Sequence, residues 1–198
     1  MKIDHSLPLE YSTEENRLKV LGFWIFLGAE IMLFATLFAS YFTLVNRTGN
    51  GPAGADIFEI TPVLMETIVL LTSSFTIGLG VHAMRLRNKK AMLSFFAVTL
   101  LLGAGFLAVE ISEFVHYVHI GAGLQTSAFT SILLTTLGTH GAHVTLGIFW
   151  GLFIMLQVKQ RGLTPETANK SFIFSLYWHF LDVVWIFIFS FIYLKGMM

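Results

Sequence analysis

The chain has 198 residues, 55% of them hydrophobic and 15% aromatic, with 12 acidic and 12 basic residues and no net charge. Its mean hydropathy of +0.74 lies well above that of a soluble globular domain and marks a membrane protein. Zero net charge leaves no basic surface for nucleic acid. The absence of cysteine removes disulfides, thiolate zinc sites and cysteine nucleophiles, so His, Asp and Glu are the strong metal-ligand candidates that remain.

The first residues read as a polar tail, 1–18, that precedes a single transmembrane domain, 19–198. A signal peptide needs a basic start and a short apolar stretch of about 7–15 residues. Here Asp4, Glu10, Glu14 and Glu15 make the start acidic, and the apolar run that follows is much longer, so the tail is expected to be retained.

Crossing a hydrocarbon core takes about 20 mostly apolar residues in a helix, and five segments meet that length. The first, at about 19–45, carries Glu30 at its middle in FLGAEIMLF. After the turn-rich RTGNGPAGAD comes the second, about 62–85, with Pro62 at a plausible first turn, Glu66 near one end and His82 near the other. The short basic RLRNKK leads to the third, about 91–118, which holds Glu110, Glu113 and His116 toward its end. GAGLQTS separates it from the fourth, about 129–158, where LGTHGAHVTLG sets His140 and His143 among Gly138, Gly141, Ala142 and Gly147. KQRGLTPETANK, with the turn or helix start Thr164-Pro-Glu, leads to the fifth, about 172–194. There YWHFLDVVWIF places His179 and Asp182 among nine large apolar or aromatic residues. The expected fold is therefore all-α, a polytopic bundle of five transmembrane helices.

Lys and Arg number ten on one side of these spans and two on the other, Arg47 and Lys195. The positive-inside bias predicts a cytoplasmic amino terminus and an external carboxyl terminus.

Ionisable residues at membrane depth cost a few kcal/mol each on insertion scales, so those inside the spans are the informative ones. Glu110/Glu113/His116, His140/His143 and His179/Asp182 recur at i, i+3. That spacing puts each set on one helix face, able to turn toward a neighbouring helix, and small residues let helices approach closely. Matching depths pairs Glu113 with a fourth-span histidine, and Glu30 with His179 and Asp182. Three uses are open for such a seam. The first is structural hydrogen bonding between helices. The second is a metal site, since E-F-V-H at 113–116 has the Glu-x-x-His spacing of di-iron bundles, although no second copy of that motif occurs. The third is proton handling, for which Glu30 is the best single candidate because FLGAEIMLF offers it no charge partner. Of the aromatic residues, Trp24 and Tyr193 lie near span ends, as interfacial belt residues do; Trp178 and Trp185 fit either internal packing or contact with a partner or lipid.

THGAHVTLG at 139–147 and YWHFLDVVWIF at 177–187 closely resemble the last two helices of subunit III of the haem-copper respiratory oxidases. FLGAEIMLF around Glu30 and VEISEF around Glu113 fit the same family in the same order, so the resemblance runs from about residue 20 to the end. The loop LVNRTGNGPAGADIFE at 44–59 looks like that of the bacterial quinol oxidase branch, of cytochrome bo or aa type. The chain matches only the last five of the seven helices of the longer mitochondrial-type subunit.

The resemblance implies a non-redox subunit of a proton-pumping terminal oxidase of the bacterial cell membrane, one that oxidises quinol and reduces dioxygen to water in aerobic respiration. It implies no haem, copper, catalytic residue or other cofactor on this chain. The haems and copper are expected on subunit I, the main contact, with subunits II and IV and membrane phospholipids as further partners and no nucleic acid. Roles in assembly, lipid binding and support of proton uptake come with it. On these motifs Glu30 matches the family's mid-membrane carboxylate, Glu113 the third-span glutamate, and His140, His143, His179 and Asp182 the last two spans; Glu110 completes the intramembrane polar seam. A small proton-coupled carrier is the alternative, but such carriers are built from internal repeats and none is evident. A stand-alone di-iron or zinc enzyme is a third possibility, open to elemental analysis.

Overall fold

A computed structural model describes residues 6–49 and 51–197, with the side chain of Asp56 excepted. The start of the expected tail, residue 50 of the first loop and the last residue lie outside it. All regular structure among the described residues is helical: α1 (Glu14–Leu44), a four-residue α2 (Gly54–Ile57), α3 (Ile60–Arg85), α4 (Lys89–His119), α5 (Ala128–Arg161) and α6 (Pro165–Ile188). A 3-10 turn, Leu9–Tyr11, precedes α1, and a π-helical segment, Phe189–Leu194, continues α6. Helices α1, α3, α4 and α5, and α6 with its π extension, are long and apolar enough to cross a membrane.

The helices begin where the sequence supplies side chains for the unpaired N–H groups of a first turn. Thr13 accepts from Asn16 N in α1, and Asn88 from Ala91 N in α4. In α5, Ser127 and Thr130 cap each other reciprocally, and Thr164 and Thr167 do the same in α6, whose first position is Pro165. That proline has no N–H to leave unsatisfied. Each of these helices starts before the corresponding apolar run, and α1 starts inside the expected tail.

The tail is also less separate than its polarity implies. Asn169 Nδ2 donates to the carbonyls of Glu10 (2.9 Å) and Asn16 (3.1 Å), and Asn16 Nδ2 donates to the Pro165 carbonyl (2.9 Å). Arg85 Nε closes the joint with a 2.8 Å ion pair to the buried Glu10. The start of the chain is thus tied to α6 and the end of α3.

Helix α6 is the hub, packed against α1, α3, α5 and the 3-10 turn. Its two tryptophans are fully buried and anchor it through their indole N–H groups: Trp178 donates to Ser73 Oγ (2.9 Å) and Trp185 to Thr67 Oγ1 (3.0 Å), both on α3. Between lipid-solvated helices there is little hydrophobic drive, so close packing and such bonds hold the bundle. Gly103 of α4 shows how close: a Cβ there would stand 2.6 Å from Trp178 Cη2. Helix α1 contrasts with this core. Most of its length is exposed apolar surface, and it touches the bundle along a narrow row that includes Leu27, Phe34 and Tyr41.

Trp178 and Trp185 are therefore interior packing residues. Tyr193, expected as an interfacial residue, is instead buried, because the π-helical turn carries its ring back into the bundle. Trp24 is more than half exposed.

Candidate functional site

The polar side chains at membrane depth form four groups, and the divergence of His140 and His143 on α5 organises two of them. Residues three apart on a helix differ in direction by about 60°, enough at a junction of three helices to face different partners. His143 faces α1, where its Nε2 lies 3.1 Å from Glu30 Oε2. His140 faces α4 and α6, with its Nε2 3.2 Å from the Leu181 carbonyl.

The hydrogen bonds of His143 fix where its protons are. Its Nδ1 lies 2.7 Å from the Thr139 carbonyl. A carbonyl only accepts, so Nδ1 carries a hydrogen. The bond from Nε2 to Glu30 then needs one more proton, held either by the carboxyl or by the imidazole. In the first case the pair is a neutral acid donating to a neutral ring, and in the second an imidazolium facing a carboxylate. Both are neutral overall, which is what the interior of a membrane favours. Phe34 packs on the His143 ring at 5.3 Å, and Tyr177 donates to the His143 carbonyl at 3.0 Å.

His140 is completely buried between Phe106 (centroids 5.7 Å apart, edge-on) and Trp185 (5.4 Å). Since the Leu181 carbonyl takes a hydrogen from Nε2, the buried Nδ1 is left with an acceptor lone pair and no partner.

The third group joins α6 to α3. Ser74 Oγ is 2.7 Å from His179 Nδ1, and Asp182 Oδ2 is 3.9 Å from the same nitrogen. The Asp182 side chain is 5% exposed, while that of His179 is 43% exposed. The pair thus shares a face as its spacing requires, with the aspartate turned inward and the histidine at the edge of the bundle.

The fourth group gathers three buried carboxyls. Glu113 Oε2 accepts from Tyr117 (3.2 Å) on its own helix and from Tyr193 (3.0 Å) on the π segment. Glu110, one turn earlier, presses against α5 where Gly141 leaves room: a Cβ at Gly141 would lie 2.5 Å from Glu110 Oε2. Glu66 of α3 lies within electrostatic reach of both.

Matching by depth therefore paired these residues wrongly. Glu113 meets two tyrosines and no histidine, and Glu30 meets His143, not His179 or Asp182. Depth gives height along a helix and says nothing of direction around it, and direction decides the partner. Sequence reasoning set Glu66 outside the seam, and it missed Ser74, Tyr117 and Tyr193 as members. A carboxylate inside an apolar span was the available signal for Glu66. No such signal existed for hydroxyl residues, which are common in spans.

The Glu-x-x-His at 113–116 does not form a chelate. Glu113 turns inward to the tyrosines while His116 is exposed, and among the described residues no three His, Asp or Glu side chains converge as metal ligands. His143 has both ring nitrogens engaged and His140 one. The donor set does not fit a haem or copper ion.

Residues 12–197 match the family described as cytochrome c oxidase subunit III. The chain is 59% identical over 190 residues to quinol oxidase subunit 3 of Bacillus subtilis strain 168, covering 96% of this chain and 93% of that protein. It is 46% identical over 189 residues to cytochrome c oxidase subunit 3 of the same strain (95% and 91% covered). It is 45% identical over 192 residues to the probable quinol oxidase subunit 3 of Staphylococcus aureus strain USA300 (96% and 94%).

Proposed function

This chain belongs to the cytochrome c oxidase subunit III family, and we propose that it serves as subunit III of a haem-copper quinol oxidase, a multi-pass protein of the bacterial membrane. The observation that carries the quinol branch is a contrast within one organism: 59% identity to the quinol oxidase subunit 3 of Bacillus subtilis against 46% to its cytochrome c oxidase subunit 3. In this reading the complex oxidises quinol, reduces dioxygen to water and conserves the energy as a proton gradient. The chain sits with its amino terminus in the cytoplasm, as the distribution of Lys and Arg indicates.

Haems and copper belong to subunit I in this proposal. What this chain contributes is a packed scaffold and the face of α1, with subunits II and IV as further companions. That face fits a partner within the membrane. Leu18, Leu21, Trp24, Ile25, Ile31 and Met32 make it broad and apolar, and Glu30 on the same helix is already paired with His143. Beside it, Ile31, Phe34, Phe38, Phe180, Val183 and Phe187 line an apolar groove between α1 and α6, which suits a phospholipid acyl chain. Assembly, lipid binding and support of proton uptake are the roles assigned.

The test is purification in mild detergent through a tag on this chain, followed by optical spectra and identification of the companions. The expected result is a larger haem-bearing subunit in the preparation, quinol-dependent oxygen consumption, and no haem on this chain when it is separated. Recovery of the chain alone, or with a complex that oxidises cytochrome c and not quinol, would overturn the assignment.

A further inference from the structure

The Glu66, Glu110 and Glu113 side chains are only 1%, 3% and 9% exposed, yet they come from two adjacent helices into one interior region. Neither oxygen of Glu66 has a hydrogen-bond partner, nor does Glu110 Oε1. No lysine or arginine forms an ion pair with any of the three among the described residues. Around them stand Tyr117 and the exposed His116 from α4, Glu59 before α3, and Tyr193 from the π segment. His140 of α5 gives its ring hydrogen to Leu181, and Trp185 gives its own to Thr67. None of these neighbours supplies a fixed positive charge.

The three carboxyls are within electrostatic reach of one another, and like charges in a buried region repel, so charging more than one of them at a time is disfavoured. The hydrogen bonds say where a single charge belongs. Glu113 accepts two phenolic O–H bonds, whereas the unpartnered Glu66 has nothing to stabilise an anion. Glu113 also borders a recess of about 220 Å³ lined by Glu59, Pro62, Ser112 and His116. Of the three acids only Glu113 lines the recess; Glu66 and Glu110 are more deeply buried behind it.

We propose that Glu66, Glu110 and Glu113 form a proton-binding site that loads and releases one proton through the recess at Glu113. Loading moves a proton from a hydronium ion or buffer acid at the recess onto a carboxylate oxygen of Glu113, leaving water or the buffer base behind. The group passes from one negative charge to none, and no electron moves. Release reverses the step, with the phenols of Tyr117 and Tyr193 holding the carboxylate that forms. The site lies apart from the Glu30–His143 pair, on the far side of α5, and does not depend on which quinol or haem the complex uses.

Infrared spectroscopy of the complex purified with this chain tests the proposal, through the carbonyl stretch of protonated carboxylic acids, read across pH in H2O and D2O. The wild type should show D2O-sensitive acid bands that persist at neutral pH and one that titrates. Glu66→Gln and Glu110→Gln should each lose a persistent band, and Glu113→Gln should lose the titrating one. Tyr193→Phe, which removes one donor to Glu113, should shift that titration, a change a purely structural carboxyl would not give. If the glutamine variants fail to assemble, the wild-type and Tyr193→Phe spectra decide alone. The proposal fails if the wild type has no titrating acid band, if assembled glutamine variants keep every band, or if Tyr193→Phe leaves the titration where it was.

Discussion

Glu30 and His143 share one proton across the α1–α5 contact, because the Thr139 carbonyl has already claimed the hydrogen on the other ring nitrogen. Glu30→Gln keeps the contact, since a glutamine amide donates to a neutral Nε2, so the complex should assemble in wild-type yield. Glu30→Leu strands the ring nitrogen at membrane depth and should cost about 1–3 kcal/mol, seen as a lower melting temperature of the purified complex. Loss of assembly in Glu30→Gln would show instead that the carboxylate must be ionised.

The α4–α6 contact at Gly103 leaves no space for a methyl group. Gly103→Ala should destabilise the bundle by about 1–3 kcal/mol, the usual cost of overpacking a tight core, measured as thermal stability in detergent. A Cβ added at Gly28 on α1 would meet nothing within 4 Å. Gly28→Ala should leave the isolated chain's stability unchanged, which makes it the control.

Asn169 ties down the start of the chain through two carbonyls. Asn169→Ala should free the segment before α1 and, through the lost bond to the Asn16 carbonyl, loosen the first turn of α1, so that trypsin cuts at Arg17 or Lys19 several-fold faster than in the wild type, with the rest of the bundle intact. Unchanged cleavage would mean that the Arg85–Glu10 ion pair and the Asn16–Pro165 bond suffice to hold it.

Trp178→Phe keeps most of the ring volume but removes the donor to Ser73. Interhelical hydrogen bonds in membranes are worth about 0.6–2 kcal/mol, and the loss should fall in that range. Pairing it with Ser73→Ala in a double-mutant cycle isolates the bond; independent effects would assign the cost to packing.

An alkaline phosphatase fused after the last residue should be active, as an external carboxyl terminus requires. A silent fusion would reverse the topology.

The five spans and their order were legible from apolar run length and from the loops between. The extent of α1 and α6 was not. Their first turns are polar residues held by Thr13 and Thr164 and by the Asn169 contacts, and none of that registers as hydrophobicity. Partners were illegible for a different reason. Glu30 and His143 are 113 residues apart, and only the azimuth of α5 between α1 and α6 brings them together. Tyr193 is the clearest miss: position near a span end argued for the interface, while a change of helical pitch turned it inward.

That change of pitch has a consequence for variation in length. Within Phe189–Leu194 the backbone winds with about one more residue per turn than an α-helix, so the segment holds a residue that regular α geometry would not. Were the same six residues wound as an ordinary α-helix with none removed, everything beyond would be turned by about 100°. Tyr193 would leave Glu113, and Phe58, now packed 4.9 Å from the Tyr193 ring, would lose its lid. Loss of one residue ahead of Tyr193 is therefore absorbed when the wide turn closes to α-helical pitch, leaving the phenol directed at Glu113, whereas loss of one residue from the α-helical part of α6 is not: the wide turn stores spare length.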